Sequence, residues 1–436
     1  MKPIRVGLLG LGIVGGGTWK VLAQNADEIT RRAGRSIEVV AVAARDMAKA
    51  QALLGEDATN VLLTTDAMEV VQSPDVDVVV ELVGGETLAK DWIMEAIAQG
   101  KHVVTANKAL LAMHGNAVFE AAQKQGVMVA YEAAVAGGIP IIKAMREGLT
   151  ANRIEWVAGI INGTTNFILS EMRSRGLSFA EALAEAQELG FAEADPTFDI
   201  EGVDAAHKLS LLASLAFGIP VQFSKAHIEG ITSLAAEDIA HAERLGYSIK
   251  LLGITRTREK GIELRVHPTL VPSVSMLANV QGAMNAVMVQ GDAVGPTVYY
   301  GAGAGELATA SAVVADLVDV ARVIDADHAS RVPYLAFQQD ALADTPILPM
   351  SEVESAYYLR LRVEDRPGAL ADISRLLAET SISISSMFQE PAVNNETDII
   401  FLTHQAREGD IDSAMLKIQN LDFVRSPVTR LRVESL

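Results

Sequence analysis

The chain opens on MKPIRVGLLGLGIVGGG, and this stretch constrains the fold more than any other. The apolar run 4–9 ends in Gly10-Leu11-Gly12-Ile13-Val14-Gly15, a G-x-G-x-x-G pattern set between a strand and a helix. Gly10 allows a tight turn, Gly12 lets a pyrophosphate approach the backbone, and Gly15 permits close helix–strand packing. The helix N-terminus adds free N–H groups and partial positive charge. Behind it, the runs 37–44, 76–83, 102–106 and 127–131 are continuously apolar rather than alternating, with helix-length stretches at 13–32, 46–54, 87–99 and 109–125. Such strands are buried on both faces, which predicts a parallel sheet covered by helices on each side.

After about residue 137 the rhythm changes. GGIPIIKAMREGL reads as a helix leaving a Gly-Gly turn, and IEWVAGIING as a strand entering another. SFAEALAEAQEL, 178–189, is a helix with Ser178 and Glu181 placed as a capping box and Gly190 as its stop. Residues 262–271 and 286–300 read as strands of a second sheet, and 306–323 as a long small-residue helix. The stretch 340–355, with two prolines and several acids, reads as a linker. The remainder, 356–436, has the order β-α-β-β-α-β of a ferredoxin-like unit.

The 436 residues include no cysteine, so neither a disulfide frame nor a thiolate zinc site is available, as fits a reducing cytoplasm. The net charge of -19 argues against DNA or an anionic membrane as the main partner. No uncharged apolar run approaches the roughly 18 residues that span a bilayer. The opening segment lacks the cleavage site of a signal peptide. The second strand ends VVAVAARD. Arg45 there can hold the 2′-phosphate of NADP(H), whereas Asp46 one step later would instead suit the ribose hydroxyls of NAD(H). The sequence favours NADP(H), with NAD(H) still open. Lys108, in TANKALL, follows a strand and falls at the carboxyl edge of the sheet, beside cofactor or substrate. Thr105 closes that strand.

The second informative stretch is GFAEADPTFDIEGVDAAHK, 190–208. Glu193, Asp195, Asp199, Glu201 and Asp204 exceed what a helix N-terminus needs, and suit a substrate bearing an ammonium group. Lys208 shares a helical stripe with Leu211, Leu212 and Leu215, and Asp204 lies one turn before it. A carbonyl reduced by hydride needs a proton donor, and a lysine held among apolar side chains can act as one. A plain Asp204–Lys208 surface pair accounts for the spacing equally well. The eight histidines show no metal spacing, and His207 reads as structural. YEAAVAGGIP, 131–140, offers Glu132 and several carbonyls for a monovalent cation, or is simply a hinge. NGTTNFIL, 162–169, can hydrogen-bond a carboxylate, and GAGAGE, 301–306, can bring backbone near a cofactor.

Together GLGIVGGG, TANKALL, YEAAVAGGIP, INGTTNFIL and above all GFAEADPTFDIEGVDAAHKL resemble the homoserine dehydrogenase family over residues 1–340. EDRPGALADISRLLAE with SISISSM resembles an ACT domain. With no kinase domain before residue 1, the match is to the monofunctional form. The resemblance implies an α/β chain with four parts. These are an NADP-binding Rossmann-type doubly wound domain over 1–137, completed by about 302–340, an α+β substrate-binding and dimerisation domain over 138–301, a linker at 341–355, and a ferredoxin-like ACT regulatory domain over 356–436. It implies reversible reduction of L-aspartate 4-semialdehyde to L-homoserine. Lys208 would be the proton donor, and Glu193, Asp199, Asp204 and Lys108 would bind substrate. Gly10, Leu11, Gly12, Ile13, Val14, Gly15, Arg45, Thr105, Lys108, Gly190 and Gly305 would lie along the cofactor. Glu132 with Val135, Gly137 and Ile139 would hold sodium or potassium. Asp365, Arg366, Gly368 and Ala369 would bind a small amino-acid effector, L-threonine, in a homodimer or homotetramer. Two other readings use the same features: a different NAD(P)-dependent amino-acid dehydrogenase, and a non-catalytic NADP and amino-acid sensor.

Overall fold

The computed structural model describes residues 2–436. They form two compact units, one from residues up to 163, 204–225 and 283–345, the other from 164–203, 226–282 and 346–436. The chain is α/β: the first unit carries a doubly wound parallel sheet, and the second a mixed sheet whose end is a β-α-β-β-α-β unit.

In the first unit six parallel strands stand in the order Leu62–Thr64, Ile37–Ala43, Ile4–Leu9, Val78–Glu81, His102–Thr105, Val129–Ala130. The continuous apolar runs predicted this, and Val78, Val79, Val80, Val103 and Val104 are wholly buried. The chain works outward on one side of Ile4–Leu9, then returns to its other side at Val78–Glu81. That reversal opens a crevice at the carboxyl ends of the strands, where ligands bind in such sheets. The expected helix 13–32 is two helices, Ile13–Gln24 and Ala26–Ala33, broken at Asn25 (φ -112, ψ 21). The long helix Glu306–Val323 packs its buried Val313, Leu317 and Val320 into the same core. GGIPIIKAMREGL holds only a short helix, Ile141–Lys143, which widens into a π-turn over Ala144–Gly148.

Three antiparallel strands complete this unit: Ile154–Ile160, Met284–Gly291 and Gly295–Ala302. The single strand expected at 286–300 is thus a hairpin. Gly295, at φ +75, supplies the left-handed residue the reversal needs.

In the second unit the capping box of helix Phe179–Glu188 is present, with the Ser178 N–H donating to Glu181 at 2.9 Å. A mixed sheet runs Tyr247–Arg258, Gly261–Pro272, Thr429–Val433, Glu354–Glu364, Glu396–Thr403, Ile384–Gln389. The last four, with helices Ala369–Glu379 and Glu408–Gln419, form the β-α-β-β-α-β unit around Leu359, Leu361, Ile373, Phe401 and Ile411. The closing strand is shorter than the expected 423–433: the chain turns at 422–423, Val424 makes a single bridge to Val363, and 425–428 are irregular. Strand Tyr247–Arg258 was not foreseen.

The ACT unit is continuous with the hairpin beside it. Thr269 and Leu270 pair in parallel with Arg432 and Val433. Fully buried Arg432 donates to both oxygens of Glu229 at 2.8 Å and to Glu408 at 2.8 Å. Fully buried Arg265 donates to Glu263 at 2.9 Å and Glu434 at 2.6 Å. The stretch 341–355 is also fastened: the Ile262 N–H donates to Pro346 O and the Leu348 N–H to Ile262 O, both 2.9 Å.

Removing one partner of a buried ion pair leaves the others uncompensated, which costs about 3 kcal/mol or more. Arg432→Ala should therefore lower unfolding free energy by about that much at pH 7. The arginine holds Glu229 and Glu408 below the ordinary carboxyl range. The stability they contribute is present above the unfolded value of about 4.3 and lost as pH falls below it, so the gap between the two proteins should narrow in acid. Denaturant unfolding at pH 7 and pH 4 measures both; equal stability of the two proteins at pH 7 would make the network decorative.

Candidate functional site

Lys208 sits in the helix Val203–Phe217. The stripe argument expected one apolar face, but every residue from Asp204 to Ala216 is buried, so the helix has no solvent face at all. A lysine there needs partners, and it has them. Its Nζ donates to Ile161 O at 2.7 Å and to Asp204 Oδ2 at 2.6 Å. Asn162 Nδ2 donates to the same oxygen at 2.9 Å. The other oxygen, Oδ1, is 3.1 Å from the ammonium of Lys108. One carboxylate thus bridges two lysines. The Lys208 and Asp204 side chains are only 11 % and 4 % exposed, whereas Lys108 is 33 % exposed and forms the open side of the cluster.

Burial opposes the charge on Asp204, yet its carboxyl lies far below the usual range. The two ammonium groups and the hydrogen bonds from Lys208 and Asn162 outweigh the desolvation. The arrangement is a fixed anion holding two cations, a net positive corner able to bind and protonate an oxygen.

Around the glycine loop, Gly10 adopts φ +92, and a Cβ at Gly15 would fall 2.0 Å from Gly10 O, so neither accepts a side chain. A Cβ at Gly12 would meet nothing within 4 Å, leaving that backbone open to a ligand. A groove of about 630 Å³ runs past Gly10, Leu11, Gly12, Arg45 and Lys49 to Leu82–Gly85 and Trp92. Asp46 is engaged elsewhere: its Oδ1 accepts the Lys49 N–H at 2.9 Å and caps helix Met47–Leu54. Ile13 projects into solvent at 74 % exposure, Val14 is half-buried, and Thr105 is fully buried at the end of its strand. Gly305, at φ +123, caps helix Glu306–Val323.

Glu193, Asp199 and Gly190 belong to the second unit. Glu193 is exposed, and half-buried Asp199 accepts from Thr164 Oγ1 at 3.2 Å. Gly190, at φ +76, ends the helix before them. His207 is buried edge-on against Phe223, 4.3 Å between ring centroids, and burial lowers its pKa to about 4, consistent with a structural role.

In 131–140, Glu132 accepts the N–H groups of Ile142 and Lys143, 2.8 Å each, and donates its own N–H to Asp316 at 2.8 Å. Burial, then the nearby Asp316 charge, pushes the Glu132 carboxyl up to about 7. Among the described residues no hydrogen bond reaches the carbonyls of Val135 or Gly137, whereas Ile139 O accepts from Ile141. No three His, Cys, Asp or Glu side chains converge as a metal-holding group among those residues, and no helix there is long and apolar enough to cross a membrane. In the ACT unit, Arg366 stacks 4.3 Å over the Phe423 ring and pairs with Asp422, while Gly368 (φ +91) and Ala369 open helix Ala369–Glu379.

Asn162 lies in the turn singled out at 162–169, but the carboxylate it donates to is that of Asp204. Ile161 O meets Lys208 only through tertiary folding. Lys49 was not singled out; it sits in the first turn of the helix that Asp46 caps.

The chain matches the family model for the homoserine dehydrogenase NAD-binding domain over residues 10–132, that for homoserine dehydrogenase over 140–318, and the ACT domain over 357–423. It is 58 % identical to the homoserine dehydrogenase of Pseudomonas aeruginosa and 56 % identical to that of Neisseria gonorrhoeae, covering 100 % of each chain in both comparisons. A crystal structure of a homoserine dehydrogenase from Thiobacillus denitrificans superposes with a TM-score of 0.95 at 64 % identity, covering 100 % of this chain and 99 % of that one.

A carboxyl raised in the folded state binds its proton more tightly there than in the unfolded chain, so its contribution to stability falls as pH rises between the two values. For Glu132 that window runs from 4.5 to about 7. Relative to Glu132→Gln, the wild type should lose roughly 3 kcal/mol across it in buffer free of sodium and potassium. Unfolding curves at pH 5 and pH 8 measure the difference; parallel pH dependence in the two proteins would contradict the raised carboxyl.

Proposed function

Since the chain belongs to the homoserine dehydrogenase family and is an NAD(P)-dependent oxidoreductase acting on a CH–OH group, we propose that it reduces L-aspartate 4-semialdehyde to L-homoserine with NADPH, reversibly, in the cytoplasm. The product feeds threonine, methionine and isoleucine synthesis. The buried Lys208–Asp204–Lys108 cluster carries this reading. When bound, the reduced nicotinamide supplies a hydride to the aldehyde carbon. Lys208 gives a proton from Nζ to the carbonyl oxygen, and takes it back in the reverse direction. Asp204 orients that ammonium, and Lys108 holds the substrate. Glu193 and Asp199 receive the substrate's amino end. The division of labour follows: residues 1–137 with about 302–340 hold cofactor, 138–301 hold substrate and dimerise, and 356–436 regulate across the 341–355 stretch.

The preference for NADPH is supported by the groove at the end of strand Ile37–Ala43, which offers Arg45 and Lys49 while Asp46 is taken up as a helix cap. For the cation, the open carbonyls of Val135 and Gly137 and a buried carboxylate fit sodium or potassium, with Ile139 O completing the set. Bound there, the ion would lower the Glu132 carboxyl again and anchor the 131–140 segment. The N-terminus of helix Ala369–Glu379, with Asp365 and Arg366 before it and Gly368 and Ala369 opening it, suits the carboxylate and ammonium of a small amino acid, which we take to be L-threonine. Pairing of subunits gives a homodimer or homotetramer.

Lys208→Met should leave NADPH binding nearly intact while kcat falls by at least roughly 10²-fold, as for a lost general acid; wild-type turnover in that variant, followed at 340 nm with aspartate semialdehyde, would remove Lys208 from the chemistry. Arg45→Ala and Lys49→Ala should each raise KM for NADPH and leave KM for NADH unchanged. A parallel rise for both cofactors would place discrimination elsewhere. Arg366→Ala should abolish threonine inhibition without altering basal turnover, and inhibition that persists unchanged would move the effector site.

A further inference from the structure

Glu81 ends the strand Val78–Glu81 and is fully buried, yet among the described residues no lysine, arginine or histidine pairs with it. A carboxylate in that position is costly unless its oxygens are fully engaged. Both are. Oε1 accepts the N–H groups of Val83 and Gly84, each at 2.8 Å. Oε2 accepts the Thr105 hydroxyl at 2.7 Å. That hydroxyl oxygen accepts the Asn107 N–H at 3.0 Å. Asn107 then closes the ring: its Nδ2 donates to Gly85 O at 2.7 Å, and its Oδ1 accepts the Leu110 N–H at 3.1 Å, capping helix Lys108–Gln125.

The ring joins two working surfaces. Leu82, Val83, Gly84 and Gly85 form part of the cofactor groove wall. Gly84 and Gly85 stand at φ +79 and +81, a conformation glycine enters and leaves freely, and the Glu81 carboxylate fixes one choice of it at Gly84. On the other side, Asn107 is the residue before Lys108, whose ammonium lies 3.1 Å from Asp204.

We infer that Glu81 is a positioning residue for the reduction: one oxygen fixes the glycine shelf of the cofactor groove, and the other fixes, through Thr105 and Asn107, the helix start that carries Lys108. It touches neither substrate nor cofactor. The inference rests on the dehydrogenase reading and adds what sets the distance between the two halves of its site.

The two oxygens can be separated by substitution. In Glu81→Gln the amide oxygen still accepts from Val83 and Gly84, but the amide NH₂ faces Thr105 and deprives its hydroxyl of an acceptor. Glu81→Leu removes both arms. Turnover is normalised to NADPH sites counted by fluorescence quenching, so that unfolded protein does not lower kcat. Glu81→Gln should then lose roughly tenfold or more in kcat with KM for NADPH within about twofold of wild type, while Glu81→Leu should also raise that KM about tenfold. Thr105→Val should reproduce Glu81→Gln, Thr105→Ser, which keeps the hydroxyl, should be faster than Thr105→Val, and the Glu81→Gln/Thr105→Val double variant should be no slower than either single one. Wild-type turnover per site in Glu81→Gln and Thr105→Val, or penalties that simply add, would overturn the relay. Turnover of the aldehyde by the wild type tests the dehydrogenase reading separately.

Discussion

A single buried carboxylate organises the cluster of Lys108, Lys208 and Asn162. Asp204 is 3 % exposed and receives two ammonium groups and an amide. Without it, the two lysine ammonium groups would face one another with no anion between them. With it, both ammonium groups have a carboxylate oxygen within reach, Lys208 at 2.6 Å and Lys108 at 3.1 Å, and their positions are fixed. The helix that carries Asp204 and Lys208 is enclosed on all sides, so the pair has little room to relax. The geometry also draws together distant parts of the chain: Asn162 from the turn after Ile154–Ile160, and Lys108 from the sheet edge.

The edge is held in turn by hydrogen bonds around its glycines. The same sheet edge therefore delivers Lys108 toward Asp204. The glycine shelf after Val78–Glu81 and the helix that begins at Lys108 after His102–Thr105 leave adjoining parallel strands. This is the usual gain from placing a site at the carboxyl edge of a parallel sheet: loops from several strands converge on a rigid base.

Much of this was legible in the residues, for identifiable reasons. Uninterrupted apolar runs announced the parallel sheet, and the glycine loop announced its crevice. The lysine at 208 was noticed for being out of place, although the expected apolar stripe proved to be a helix with no exposed face. Long-range pairing was not legible. Strand Tyr247–Arg258 was missed because Ser248, Lys250 and Thr255 make it look solvated, whereas all three are buried. Lys250 donates to Asn166 Oδ1 at 3.0 Å and to Val280 O, and burial lowers its pKa to about 7. Nothing local marks a lysine for that environment. The turn at Asn162 was noticed, but its partner was not legible, since Asp204 is 42 residues away in the chain.

The strand pairing between Thr269 and Arg432 has a further consequence, for the order in which the protein is made. The two positions lie 163 residues apart (432 minus 269). At a ribosome speed of 5–20 residues per second, about 8–30 s separate their synthesis. For that interval the hairpin Tyr247–Arg258/Gly261–Pro272 has an open edge, and Arg265 lacks Glu434. Such an edge is a template for unwanted pairing with other nascent chains. The buried charges beside it make the hairpin a poor aggregation seed, since a foreign strand without matching acids and arginines would leave them uncompensated. The network that fastens the finished sheet would thus also guard it while it waits.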